Sequence, residues 1–252
     1  MIHLATGYGG HVGTEGPLAL VGGDELNPGN EPIDSVLTQA AAGGDAFVLA
    51  TAAARQGAAQ AVRNAQRWFQ GLGLRVEELP ATKAAHVRDL ENVVRARAGR
   101  FFYLVGGDPG LVPKVLRGSP LWDAIVDAWR EGAALGGSSA GAMALGAWTL
   151  IRERMPGDSD RRYGDALNLV PGIAVLPHFD TFGKGWVDSA LERAPADTTL
   201  VGLDERTGAV WTRGAWQALG AGNVTLITHT ERRTFAAGSE VDGMPAPLSA
   251  AP

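Results

Sequence analysis

Cysteine is missing altogether from the 252 residues. Disulfides, thiolate zinc sites and a cysteine nucleophile are excluded with it. Charge is sparse: 19% of residues are Asp, Glu, Lys or Arg, and the net charge is -5. Affinity for phosphate backbones needs clustered cations, so no nucleic-acid partner is expected. The nearest approach to a cluster is Arg152, Arg154, Arg161 and Arg162, which acidic residues interrupt and which reads as a solvated loop. No apolar run reaches the roughly 18 residues of a membrane helix. The opening "MIHLATGYGG" lacks the basic start and long apolar stretch of a secretory signal. The expectation is a soluble cytoplasmic protein with no membrane partner. There is no H-E-x-x-H and no clustered His/Asp ligand set, so neither metal nor other cofactor is expected. The "GGD" turns lack the G-x-G-x-x-G and G-K-[ST] patterns of phosphate-cradling loops.

What the chain does have is a hydrophobic fraction of 45%, enough for a sizeable core. Short apolar runs alternate with helical stretches. "PLALVGG" (17–23), "AFVLATAA" (46–53), "LRVEELP" (74–80) and "RFFYLVGGDPG" (100–110) read as strands, the first and last ending in glycine turns. "PIDSVLTQAAAGG" (32–44) reads as a helix with Ile33, Val36, Leu37 and Ala40 on one face. Residues 57–73 and 86–99 read as two more, the second with Val87, Leu90 and Val94 in register, and a third begins at Ser119-Pro120. Strands alternating with helices of this length predict βαβ units, hence an α/β fold with a mostly parallel sheet flanked by helices on both faces. Residues 208–238 change to short alternating runs between turns and predict antiparallel edge strands. One domain is expected over 1–252, with an irregular extension at 1–16, in which "IHLAT" could pair as an edge strand, and a loose tail at 241–252. The edge strands, with Trp211 and Trp216 among them, make a homodimer the assembly to look for.

The chemistry-bearing stretch is "ALGGSSAGAMALG" (134–146). Gly137-Ser138-Ser139-Ala140-Gly141 fits G-x-S-x-G, the strand-to-helix elbow of many serine hydrolases. A nucleophile at the tip of so tight a turn tolerates no bulk beside it. Ser138 competes as the hydroxyl, but the spacing to both glycines selects Ser139. The helix that follows, "AGAMALGAW", points its free N–H groups at the site, and the Ala140 N–H is the natural first oxyanion donor. Close helix packing alone would also enrich small residues here.

A serine needs a base oriented by a carboxylate. His3 and His11 fall in the N-terminal extension, and His86 begins a surface-like helix. His178 ends the apolar run "GIAVLPHFD", where α/β folds place chemistry. His229 lies in the late antiparallel part. Two orders therefore compete on the residues alone: Ser139, His178 and an acid from "VGLDERTGAV" (Asp204 or Glu205), or Ser139, Asp204, His229 as in an α/β-hydrolase esterase. A non-catalytic relative that keeps the fold is the third reading.

Taken together, "LALVGGDEL", "LVGGDPG", "GGSSAGAMALG", "LVPGIAVLPHF" and "VGLDERTGAV" resemble the signature blocks of the peptidase E and cyanophycinase family of serine peptidases, in order and spacing, across about Leu18 to Val210. The resemblance implies a fold like class I glutamine amidotransferases and a triad in the order Ser, His, acid. On this chain it implies Ser139 as nucleophile, His178 as base and Glu205 as acid, with Asp204 in reserve. It also implies the Gly107 N–H as second oxyanion donor opposite Ala140. The chain departs from the family on the substrate side. Asp108-Pro109 follow the Gly-Gly turn where a side-chain amide is common, and proline has no N–H to give. Members that take aspartyl substrates carry arginines soon after the histidine; here Lys184 is the nearby cation and Arg193 is further on. A bidentate clamp on a carboxylate wants arginine. Asp108 and Lys184 are candidate substrate-binding residues, and Trp186 reads as core packing or the wall of an apolar pocket. The expected activity is hydrolysis of short peptides by a serine exopeptidase, dipeptidase included, without the aspartyl preference.

Overall fold

A computed structural model of the chain describes residues 15–41, 43–152 and 161–248. His3, His11, Arg154 and the segment "IHLAT" lie outside them. The first strand, β1 (Leu18–Val21), sets the pattern: Leu18 and Leu20 enter one core, Ala19 and Val21 another. A strand with apolar residues on both faces belongs in the middle of a layered sheet. The chain continues through α1 (Glu31–Ala40), β2 (Asp45–Leu49), α2 (Ala58–Gly71), β3 (Glu77–Glu78), α3 (Ala84–Arg88), α4 (Leu90–Ala98) and β4 (Gly99–Leu104). Next come α5 (Leu111–Leu116), α6 (Pro120–Arg130), β5 (Ala134–Ser138), α7 (Ala140–Leu145), β6 (Gly146–Arg152), β7 (Arg161–Asp165) and β8 (Val170–Leu176). A 3-10 turn at Gly183–Trp186, α8 (Val187–Glu192), β9 (Thr199–Leu203), β10 (Thr207–Thr212), β11 (Ala215–Gly220), β12 (Asn223–Ile227) and β13 (Arg232–Ala236) complete it.

The strands form two sheets. The larger has the order β11-β10-β1-β5-β4-β2-β3, and its five strands from β1 to β3 are parallel. The smaller has the order β13-β12-β9-β8-β6-β7, with β6, β8 and β9 parallel. One face of the large sheet buries Val21, Val48, Tyr103 and Val105 under Ile33 and Leu37 of α1 and Phe69 of α2. On its other face Leu20, Leu49 and Leu104 share a core with Trp122, Ile125 and Trp129 of α6 and with Ile173, Val175 and Leu200 of the small sheet. The α/β expectation holds, and the late strands are antiparallel as expected, but they divide between the two sheets.

Several elements differ from the sequence reading. The helix expected over 86–99 is two helices. Asp89 breaks it with an extended ψ of 124°, because its side chain caps α4 by accepting the Glu91 N–H at 2.9 Å. The break turns the second helix, so Val93 and Ala96 are buried while Leu90 and Val94 face out. The helix after the elbow ends at Leu145, and 146–152 is strand β6 rather than more helix. Residues 241–248, expected to be loose, are tied down: the Val241 N–H donates to Trp216 O, the Leu248 N–H to Leu169 O and the Trp216 indole to Pro245 O. Trp211 and Trp216 pack on each other at a tilt, ring centroids 5.5 Å apart, and both are buried in the chain. No helix among the described residues is long and apolar enough to cross a membrane.

Asp34 sits on the buried side of α1, only 1% exposed, and its Oδ2 accepts the Trp68 indole N–H at 2.7 Å. Burial pushes its carboxyl up to about 7 from the ordinary 3.8, against the lowering effect of that hydrogen bond. The native chain therefore holds this proton more tightly than the unfolded chain. Stability that is fully present below about pH 4 is lost as pH rises toward 7. Asp34→Asn keeps an acceptor for the indole and carries no charge. Its Tm should exceed that of the parent at about pH 8 and converge on it below about pH 4. Thermal unfolding followed across that range checks this; a difference that does not change with pH would contradict the assignment.

Candidate active site

Strands β4, β5 and β1 lie side by side and parallel, so their carboxyl ends share one edge. Open parallel sheets bind ligands at that edge. After β5 comes Ser139, after β4 the turn Gly106-Gly107, and after β1 the turn Gly22-Gly23. The small sheet delivers the rest: His178 follows β8 and Glu205 follows β9, the two strands being parallel neighbours.

Ser139 has φ 49° and ψ -113°, a strained setting for a residue with a side chain. The backbone around it holds the strain. Its N–H donates to Val21 O and its carbonyl accepts the Met143 N–H, both at 2.9 Å. Gly141 must be glycine because a β-carbon there would stand 2.2 Å from Leu104 O. The Ser139 hydroxyl lies 3.1 Å from His178 Nε2, and His178 Nδ1 lies 2.7 Å from Glu205 Oε1. An ionised carboxylate only accepts, so the ring proton sits on Nδ1 and Nε2 is left to accept from the serine.

The histidine is fixed on all sides. Its N–H donates to Gly22 O at 2.7 Å, and its carbonyl accepts the N–H groups of Thr181, Phe182 and Gly183. Its ring lies against Gly23, where a β-carbon would come within 2.3 Å of Cε1. The ring also stacks on Phe182, with centroids 4.7 Å apart. Glu205 is steadied by its own N–H, which donates to Asp180 Oδ1 at 2.9 Å.

The other candidates fall in different places. Gly107 and Ala140 line the same cavity as Ser139 and His178. Around the turn the Val105 N–H goes to Leu49 O, the Gly106 N–H to Glu25 Oε1 and the Asp108 N–H to Ala52 O. Asp108 is on the cavity wall, its Oδ1 accepting the Gly110 N–H and its Oδ2 3.9 Å from Arg55. Lys184 is elsewhere: its ammonium lies over the Phe179 ring at 5.7 Å, and it does not line the cavity. The set Ser139, Asp204, His229 is not brought together. Asp204 Oδ2 accepts the backbone and side-chain N–H groups of Asn223, and His229 is exposed between β12 and β13. Ser138, the competing hydroxyl, is buried and donates to Glu25 Oε2 at 3.0 Å.

Two cavities flank the serine. One, of about 540 Å³, has an apolar wall of Met143, Leu150, Ile151, Phe182 and Trp186. The other, of about 390 Å³, is lined with amides and a carboxylate: Gln56, Gln60, Asn64 and Glu25. Trp186 thus lines a pocket and also packs on the core. The sequence reading passed over Glu25 and Phe182. An acidic residue just past the first Gly-Gly turn was the available signal for Glu25, and an aromatic four residues after the histidine for Phe182.

Comparison with known proteins follows the same lines. The model of peptidase family S51 matches residues 18–216. A cyanophycinase of Trichormus variabilis is 35% identical over 136 residues, which are 51% of this chain and 45% of that protein. The match thus spans less than half the length of that relative. A cyanophycinase of Synechococcus elongatus is 27% identical over 224 residues, 86% of this chain and 69% of that one. Among solved structures, a peptidase from an acI-B1 Actinobacterium superposes with a TM-score of 0.78 at 26% identity, covering 90% of this chain and 96% of that one. A peptidase E-like protein of Listeria monocytogenes EGD-e, at 20% identity and a TM-score of 0.58, shares the fold. The chain belongs to peptidase family S51.

Proposed function

We propose that this peptidase works through Ser139, His178 and Glu205 as nucleophile, base and orienting acid, and that it is an exopeptidase of short peptides. The observation that carries the reading is the unbroken run of contacts from the strained serine through the imidazole to the carboxylate, at 3.1 and 2.7 Å. Ser139 Oγ attacks the scissile carbonyl carbon as its proton passes to His178 Nε2. The N–H groups of Gly107 and Ala140 hold the oxyanion. His178 then protonates the departing amine as the C–N bond breaks. Water, deprotonated by the same imidazole, hydrolyses the acyl ester and Ser139 regains its proton. Glu205 stabilises the imidazolium that forms twice per cycle.

The pocket argues for an apolar side chain next to the scissile bond. Its wall of Met143, Leu150, Ile151, Phe182 and Trp186 presents no cation, and its one carboxylate, Asp108, would repel an aspartyl substrate. Phe182 is 52% exposed beside the imidazole, an apolar surface that a substrate side chain would cover. Compared at equal concentration, Phe-Leu and Leu-Leu should be cleaved faster than Asp-Leu. A preference for Asp-Leu of about a hundredfold, roughly 2.7 kcal/mol, would overturn this specificity.

The triad reading makes two further commitments. Ser139→Ala and His178→Ala should each lower kcat by about 10⁴-fold or more with an unchanged circular dichroism spectrum, because triad members act as a unit. His229→Ala should keep most of the parent rate; the opposite pattern for the two histidines would unseat Glu205 as well. Gly23→Ala tests the seat of the imidazole. The new methyl group would displace the ring, and kcat/KM should fall by about a hundredfold. Crystallography or an NMR titration of His178 would show whether the ring has moved; a moved ring with full activity would exclude His178 as the base.

A further inference from the structure

We propose that Glu25 is a positioning residue that locks the oxyanion loop to the nucleophile elbow. The proposal rests on the reading of Ser139 and Gly107 given above. Its carboxylate bridges two strand ends that are far apart in sequence. Oε1 accepts the backbone N–H of Gly106 at 2.8 Å, and Oε2 accepts the buried Ser138 hydroxyl at 3.0 Å. Gly106 precedes the proposed donor Gly107, and Ser138 precedes the nucleophile. One side chain therefore fixes the two loops whose separation sets the distance from nucleophile to oxyanion donor.

The β4–β5 ladder runs as far as Leu104 opposite Gly137, and Glu25 ties together the residues just past it, Gly106 and Ser138. Gly106 sits between the two groups: a β-carbon there would be 2.8 Å from Glu25 Oε1 and 3.3 Å from Ser139 Cβ. On the far side of Gly107 the Asp108 N–H is held by Ala52 O at 2.9 Å. The peptide that carries the Gly107 N–H is thus pinned from both flanks, by Ala52 on one and Glu25 on the other. Gly107 has φ +145°, a setting open to glycine and rarely adopted by residues with a side chain. Glu25 also lines the polar cavity beside Ser139, so a direct contact with substrate is the alternative to be separated.

The test uses Glu25→Met, which keeps the length of the side chain and loses both acceptors, and Glu25→Gln, which keeps an acceptor for Gly106 and loses the charge. The substrate is the fastest of the dipeptides compared above. Binding is read with the amino aldehyde of its acyl-side residue and with the matching amino alcohol. The aldehyde forms a hemiacetal with Ser139 and needs the oxyanion donors; the alcohol does not. Glu25→Met should lower kcat about 10- to 100-fold at nearly constant KM and weaken the aldehyde by a similar factor, leaving the alcohol unchanged. Glu25→Gln should restore most of the loss.

An unchanged kcat in Glu25→Met overturns the proposal. So does a loss carried by KM and by the alcohol, which would mark Glu25 as a substrate contact. A Gln variant as poor as the Met variant would assign the effect to charge rather than to position. Should Glu25→Met fail to fold, Ser138→Ala decides: it releases Oε2, and kcat should drop about fivefold at constant KM, with no drop counting against the clamp. Retained activity in Ser139→Ala would strike the catalytic reading itself. An inactive Ser139→Ala beside a fully active Glu25→Met would strike this proposal alone.

Discussion

A β-carbon on Gly22 would stand 2.1 Å from the carbonyl oxygen of Asp204, and one on Gly141 would stand 2.2 Å from that of Leu104. No rotamer relieves such an overlap, because both partners are main chain. The two contacts are the joints of the site. The first brings the end of β9, with Glu205, against the end of β1. The second sets the elbow helix against the end of β4. Strand ends in a parallel sheet are ordinarily about 4.8 Å apart with side chains filling the space between turns. Here the side chains are absent where the turns cross, and the loops interlock by main-chain hydrogen bonds: His178 N–H to Gly22 O, Arg206 N–H to Gly23 O, Ser139 N–H to Val21 O.

That interlocking explains why two sheets are needed. The large sheet supplies the hydroxyl, but the strands on either side of β5, β1 and β4, end at that edge in short glycine turns. The imidazole and the carboxylate come from β8 and β9 of the small sheet, which meet the large one through the shared apolar core of Leu20, Ile173, Val175 and Leu200. The strain at Ser139 and at His178, both at positive φ, is held by this packing rather than by either loop alone. Burial of aliphatic side chains between the sheets is thus what keeps two unfavourable backbone settings in register.

Much of this was legible from composition and pattern. Apolar strands ending in Gly-Gly turns, and helices opened by Ser119-Pro120 or Pro32, follow from local chemistry, and local chemistry decided them. The order Ser139, His178, Glu205 named three groups that stand in hydrogen-bond contact, while the residues alone left Asp204 and His229 open. What a single sequence did not carry was long-range. Nothing near Glu25 announces that its partners are Gly106, 81 residues on, and Ser138, 113 residues on. The second sheet was invisible because a single glycine, Gly146, both ends α7 and begins β6, so a helical pattern ran on into a strand. Leu90 and Val94 misled for the opposite reason: a cap at Asp89 restarted the helix and turned its register.

The division between chemistry and specificity also follows from where the residues sit. The groups that touch Ser139 are held by main chain from five strand ends, so changing one disturbs several. The wall of Leu150, Ile151, Phe182 and Trp186 is different. It hangs from β6 and from the turn after His178, at the margin of the small sheet, and it touches the reactive groups mainly through the stacking of Phe182 on the imidazole. Leu150 and Ile151 carry no polar side-chain atom, so neither side chain takes part in the hydrogen bonds that hold the serine, the imidazole and the two turns. Phe182 faces the pocket and stacks on the imidazole, and Met143 lines the same wall while its N–H donates to Ser139 O. A change at Phe182 therefore reaches both the pocket wall and the imidazole.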